Sequence, residues 1–229
     1  MSAQHKYWRV YEEALASLIA RDLADRCRAA GYRYDEAGIG IAFLDRKYSL
    51  CRRGSSLAIM NTSPGCFEEG IPTEDAGSLS TELQEEHLRD RILILHYLDR
   101  ASGAPISGNM VGFDHLIGAR FYGSAFRGRV ELPLVRAFAS RPEMLVEVAQ
   151  ALGGSRAAYG DSSVLLHPFP RVPLAVILWR GDDEVAANGK VLWDASAEDY
   201  LSAEDMAVLG ETIVRRFKAG AAARPPATV

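Results

Sequence analysis

Apolar residues recur along this chain with two different periods, and the points where the period changes constrain the fold more than any other feature. From about 5 to 30 the spacing is helical. Trp8, Tyr11, Leu15, Leu18 and Ile19 share a face, and Gly31 follows where a C-cap glycine belongs. Between Gly38 and Met60 the period falls to two. Ile39, Ile41 and Phe43 alternate with Gly40, Ala42 and Leu44; Leu57 and Ile59 belong to a second extended run, with charged Asp45, Arg46 and Lys47 between. This predicts a small antiparallel unit. Residues 61–78 carry Pro64, Gly65, Gly70, Pro72 and Gly77, and predict a loop.

The helical period returns at Thr81. Thr81 and Gln84 fit a capping box, Leu88, Ile92 and Leu95 form the buried stripe, and Gly103 ends the segment. Residues 104–118 are glycine-rich and irregular. Helices are predicted over 122–139, in spite of Pro133, and over 141–152, from Pro142 to Gly153-Gly154. Ser163–His167, Val172–Trp179 and Lys190–Trp193 then read as strands, and the prolines at 168, 170 and 173 predict a rigid entry at a sheet edge. Ser202 to Asp205 cap a last helix with Met206, Leu209, Ile213 and Phe217 on its apolar face. The pattern predicts one mixed α+β domain over 1–218, with antiparallel strands packed by about five helices, and a disordered tail at 219–229.

Composition narrows the environment. Of 229 residues, 48% are hydrophobic and 24% charged, which excludes wholesale disorder, collagen and coiled coil. Acidic residues outnumber basic ones, 30 to 26, so a dedicated nucleic-acid partner is not expected. The three cysteines, Cys27, Cys51 and Cys66, form no C-x-x-C and no even set, and read as thiols without a disulfide framework. No stretch suits a signal peptide or a bilayer span, so the expectation is a cytoplasmic chain with no membrane partner.

None of H-E-x-x-H, the Walker loop, G-x-S-x-G or G-x-G-x-x-G occurs. Three weaker constellations remain. His96 and Tyr97 lie inside the apolar run 92–98; a desolvated, neutral histidine there suits a proton shuttle or an axial metal ligand, or else a satisfied core position. His115, Arg120, Tyr122 and Arg127 interleave basic and aromatic groups among glycines. Guanidinium forks pair with carboxylate or phosphate and aromatic faces stack on flat rings, so an anionic planar ligand suits this segment, as does an ordinary solvated helix face. Trp179 is followed by Asp182, Asp183 and Glu184, then by Trp193-Asp194 and Glu198-Asp199. These carboxylates suit Mg²⁺ or Ca²⁺, an acid–base pair, or a plain solvated turn.

In one order the chain carries ILILHYL (92–98), a glycine-rich stretch ending in Gly-Ala-Arg-Phe-Tyr (118–122), Pro-Arg-Val-Pro (170–173) leading to Leu178-Trp179, Gly-Asp-Asp-Glu (181–184), Val-Leu-Trp-Asp (191–194) and Tyr-Leu-Ser-Ala-Glu (200–204). The combination, from about Trp8 to Phe217, resembles a prokaryotic family catalogued as a domain of unknown function. Its members are common in anaerobes, and some are fused to a four-cysteine iron–sulfur domain of the corrinoid iron–sulfur type. The family's acidic turn usually reads Asp-Glu-Glu-Phe-Pro, where this chain has Asp182-Asp-Glu-Val-Ala186. The resemblance implies that any cluster sits on an iron–sulfur partner protein, because three cysteines cannot make a four-thiolate site.

Three functions stay open at this level. The first is a small-ligand-binding protein for a flat anionic cofactor, a tetrapyrrole or corrinoid ahead of a divalent cation, held by His96, Tyr97, His115, Arg120, Tyr122, Arg127 and Trp179. The second is a non-catalytic accessory protein. The third is an enzyme using His96 or His115 with Asp182, Asp183 and Glu184.

Overall fold

The computed structural model describes residues 3–62, 81–119 and 122–224. It is an α+β chain with two antiparallel sheets, and it divides into two units, residues 1–104 and 105–229.

The first unit opens with α1 (Ala3–Ile19) and α2 (Leu23–Ala29) instead of one helix over 5–30. The break falls at Asp22, whose side chain accepts from the N–H of Asp25 and starts a new helix. Local capping there outweighs the continuous stripe. A three-stranded meander follows: β1 (Ile39–Phe43), β2 (Arg46–Arg53) and β3 (Ser56–Asn61). The antiparallel unit predicted from alternation is present. The charged Arg46-Lys47 step, read as a connection, instead begins β2, with Tyr48 and Leu50 turned into the core. Gly38 enters β1 at φ 100°, and a Cβ there would lie 2.1 Å from the carbonyl oxygen of Leu50, so only glycine fits. The predicted loop at 61–78 lies, from residue 63 on, outside the described residues.

Helix α3 (Thr81–Arg100) packs against α1 and α2. Its burial is wider than the predicted stripe: Leu93, Ile94, Tyr97 and Leu98 are enclosed as well as Leu88, Ile92 and Leu95. Ions tie the meander to it. Arg46 donates to Asp90 (2.9 Å) and to Glu86 (2.7 Å), and the Tyr48 hydroxyl donates to Asp90 (2.7 Å). Burial works against the guanidinium's charge, but Asp90 and Glu86 outweigh it and raise the Arg46 pKa.

The second unit is built on a five-stranded antiparallel sheet in the order β4-β8-β7-β6-β5. The strands are β4 (Met110–Gly112), β5 (Ser155–Arg156), β6 (Ser162–Phe169), β7 (Val172–Trp179) and β8 (Asn188–Asp194). The three predicted strands are β6, β7 and β8. β4 and β5 are too short to leave an alternation. β7 is central, and Val172 to Leu178 are buried without interruption. The proline-rich entry therefore lies inside the sheet and not at an edge: Pro173 sits in β7 without breaking the ladder, because the register shifts between Leu166 and Phe169 and leaves it opposite a bulge.

Helices complete this unit. Residues 123–138 form one helical run: α4 (Gly123–Phe126), a π turn (Arg127–Glu131) and α5 (Leu132–Phe138). Pro133 explains the π turn. It offers no N–H to the carbonyl of Arg129, and the backbone widens so that Leu132 N–H reaches Arg127 O. α6 (Pro142–Ala151) matches its prediction. In α7 (Ala203–Ala222) the Ser202/Asp205 capping box is formed in both directions, and Met206, Leu209, Ile213 and Phe217 are buried. α7 continues to Ala222, into the segment expected to be frayed, and residues 225–229 lie outside the described set. No described helix is long and apolar enough to cross a membrane.

Candidate functional site

The second unit gathers the arginine–aromatic segment around one turn. β4 runs into a 3-10 turn (Phe113–His115), and the ring of Phe113 stacks on that of Phe126 in α4, with centroids 4.0 Å apart and planes within 5°. Both rings are buried, so the turn and the helix are joined from beneath. Above that joint stand Asp114 and His115. The Nδ1 of His115 is 3.3 Å from Asp114 Oδ1, and the imidazole side chain is 72% exposed. Gly112 makes room for the pair: a Cβ there would come within 2.8 Å of Asp114 Oδ1 and 3.4 Å of His115 Nδ1.

The next residues present small side chains flanked by larger polar ones. Tyr122, the residue before α4, is 49% exposed. Ser124, Ala125, Arg127, Gly128 and Arg129 are all exposed. Arg129 pairs with Glu211 at 3.5 Å, whereas Arg127 has no carboxylate partner among the described residues. Beneath them Gly210 of α7 lies so close that a Cβ would touch Phe126 (3.0 Å) and Val130 (3.3 Å). Arg120 lies outside the described residues. Ile117, between His115 and Tyr122, is 85% exposed.

The other predicted residues are placed differently. His96 and Tyr97 belong to the first unit. Tyr97 is fully buried, and its hydroxyl donates to Ala30 O at 2.5 Å, so it serves the core. His96 is half-buried in α3 and engaged by neighbours. In the second unit Trp179 ends β7, partly exposed, opposite Asn188. Asp182, Asp183 and Glu184 are exposed in the turn after it. There Asp182 Oδ1 accepts from the N–H groups of Glu184 (2.9 Å) and Val185 (2.7 Å), and these bonds, Val185's foremost, lower its pKa. The carboxylate is used by the turn itself. Among the described residues no group of three or more His, Cys, Asp or Glu side chains is placed to hold a metal ion. His115 has Asp114, and none of the 182–184 carboxylates, as its ionic partner.

Asp194, grouped by sequence with the acidic cluster, is a buried anchor. Its Oδ1 accepts from Ser107 N–H (3.0 Å) and Oγ (2.8 Å) and from Ser196 N–H (2.9 Å) and Oγ (2.6 Å). Its Oδ2 accepts from Gly108 N–H (2.7 Å). Burial opposes the charge, but the bonds from Ser196 and Ser107 prevail and hold the carboxyl at about 2. This clamp fixes the segment that feeds β4, and hence the turn bearing His115. V-L-W-D shows only a strand end in the sequence, because three of the five donors, from Ser107 and Gly108, lie almost ninety residues away in the chain.

The family described as a domain of unknown function (DUF3786) matches residues 71–216 of the chain. No curated protein and no solved structure matches it.

Proposed function

The chain belongs to the DUF3786 family, and we propose that its second unit is a binding surface for a flat anionic ligand, with a tetrapyrrole or corrinoid as leading candidate. The observation that carries this reading is Arg127, an exposed guanidinium with no carboxylate partner among the described residues, on the same short helical stretch as exposed Tyr122. A bare guanidinium fork takes a carboxylate or phosphate bidentately. The small residues 123–125 and 128 let a flat ring approach the helix, and the Tyr122 face can stack on it. His115 would supply a metal ligand to such a cofactor: with Nδ1 turned to Asp114, Nε2 is the nitrogen left for a metal centre, as in carboxylate–histidine–metal arrangements. His96 stands behind it in this role, because it is half-buried and already engaged.

Titration of the purified chain with haem and, separately, with cobalamin tests the reading through the visible spectrum. Binding should shift the bands. His115→Ala should change the ligation spectrum, and Arg127→Ala should weaken affinity about tenfold, the worth of one charge-assisted contact. If neither cofactor shows a shift, or if both variants titrate like the parent, the surface is not a cofactor site.

A second reading draws on Ile117. An apolar side chain so exposed also suits a protein partner, with an iron–sulfur protein as the first to try. Ile117→Asp would then abolish capture of that partner and leave the cofactor titration unchanged.

A further inference from the structure

Among the described residues nothing pairs with the outer edge of the three-stranded sheet, and its hydrogen-bonding groups can be assigned. β1 is joined to β2 by Leu44 and Asp45 alone, with Phe43 opposite Arg46. Residues flanking a two-residue connection exchange both their bonds, so the N–H and C=O of Ala42 point away from β2. Two residues back, those of Gly40 do the same. Neither residue has a backbone partner outside the ladder, and both are exposed. A Cβ built on Gly40 meets nothing within 4 Å.

Edges of this kind are normally blunted by proline, charge, a bulge or shortness. In the second unit's sheet the edge strands span two and three residues. On the far edge of the meander, the groups of β3 that point outward belong to buried Leu57 and Ile59, and α1 packs against that strand. β1 is five residues long, Ile-Gly-Ile-Ala-Phe, with no proline, charge or bulge.

We propose that β1 is an interface between two copies of this chain, paired antiparallel about a two-fold axis at Ile41. The strand reads nearly the same in both directions. Its small residues, Gly40 and Ala42, lie opposite each other across the axis, Ile39 lies opposite Phe43 of the second copy, and Ile41 faces its own equivalent. Small side chains therefore meet small ones on the open face, while Ile39, Ile41 and Phe43 stay enclosed within their own copy on the core face. Gly40 and Ala42 of the two copies exchange four backbone hydrogen bonds, and two three-stranded sheets become one of six strands. This interface is independent of the ligand surface in the second unit.

Sedimentation of the full chain, over a series up to about 100 µM, tests the proposal. The expected result is a concentration-dependent monomer–dimer equilibrium. Gly40→Lys with Ala42→Lys places like charges directly opposite and should raise the dimer Kd at least about tenfold. Gly40→Glu with Ala42→Lys places opposite charges there and should keep the dimer, more tightly at low salt. Circular dichroism and melting should match the parent, because both positions are exposed. Ala42→Pro is the alternative where the lysine variant does not fold, since it removes an outward N–H and leaves the ladder to β2 whole. A parent chain monomeric throughout overturns the proposal, and so does a double-lysine variant that dimerises like the parent. Loss of the dimer in both double variants overturns the register centred on Ile41.

Discussion

Replacing Asp194 by asparagine isolates what the buried clamp contributes. The side chain keeps its shape but loses its charge, and one acceptor becomes an NH₂. If the amide oxygen stays at the Oδ1 position, where Ser107 and Ser196 converge, the NH₂ faces the N–H of Gly108, donor against donor. A carboxyl held at about 2 in place of the ordinary 3.8 is worth ~2.5 kcal/mol at neutral pH. An unsatisfied Gly108 N–H adds ~1 kcal/mol, so the expected loss is roughly 3.5 kcal/mol at pH 7. The pH dependence has a definite sign. A depressed carboxyl stabilises the fold fully above its unfolded pKa and loses that contribution as pH falls through the folded one. The gap between parent and variant should therefore be constant above pH 3.8 and shrink toward pH 2. Urea unfolding of both proteins across this window measures it, and hydrogen exchange at Ser107 and Gly108 should lose protection in the variant. A gap under ~1 kcal/mol at neutral pH, or one that persists unchanged at pH 2, would refute the clamp.

Other perturbations test the remaining joints. Asp90→Ala removes the acceptor shared by Arg46 and Tyr48 and should cost about 3–5 kcal/mol in urea unfolding, whereas Tyr48→Phe should cost about 1 kcal/mol; equal losses would contradict the charged joint. Gly38→Ala places a methyl group 2.1 Å from Leu50 O at a positive φ and should cost more than ~3 kcal/mol, so a melting curve like the parent's would mean that β1 enters the sheet differently. Gly112→Ala pushes only on the exposed Asp114–His115 pair. It should leave global stability within ~1 kcal/mol yet shift the His115 ring signals in NMR, and unmoved signals would show that the pair is not held by this glycine.

The fold was legible where the signal is local. The capping box at Ser202, the stripe from Met206 to Phe217 and the alternation of Ile39, Ile41 and Phe43 each depend on neighbours a few residues away, and each appears as predicted. Pro133 was legible as a disturbance but not as a π turn, since a missing N–H can equally start, kink or widen a helix. The candidate site was legible only as a composition. Sequence grouped His115, Tyr122 and Arg127 with Tyr97, which the apolar run encloses in the first unit. The sharpest division is between two aspartates counted together as one acidic cluster. Asp182 meets donors two and three residues on, in a turn open to solvent. Asp194, at the end of the following strand, meets donors from Ser107 and Gly108 and disappears from the surface. Residue type is the same and each accepts from an N–H two residues on, but Asp182 lies in the turn beyond β7, whereas the return of Ser107 and Gly108 to the end of β8 encloses Asp194. Charge counting along a sequence therefore overstates an acidic site by every carboxylate that the fold turns inward, and understates a basic one wherever, as at Arg127, no described carboxylate comes to meet it.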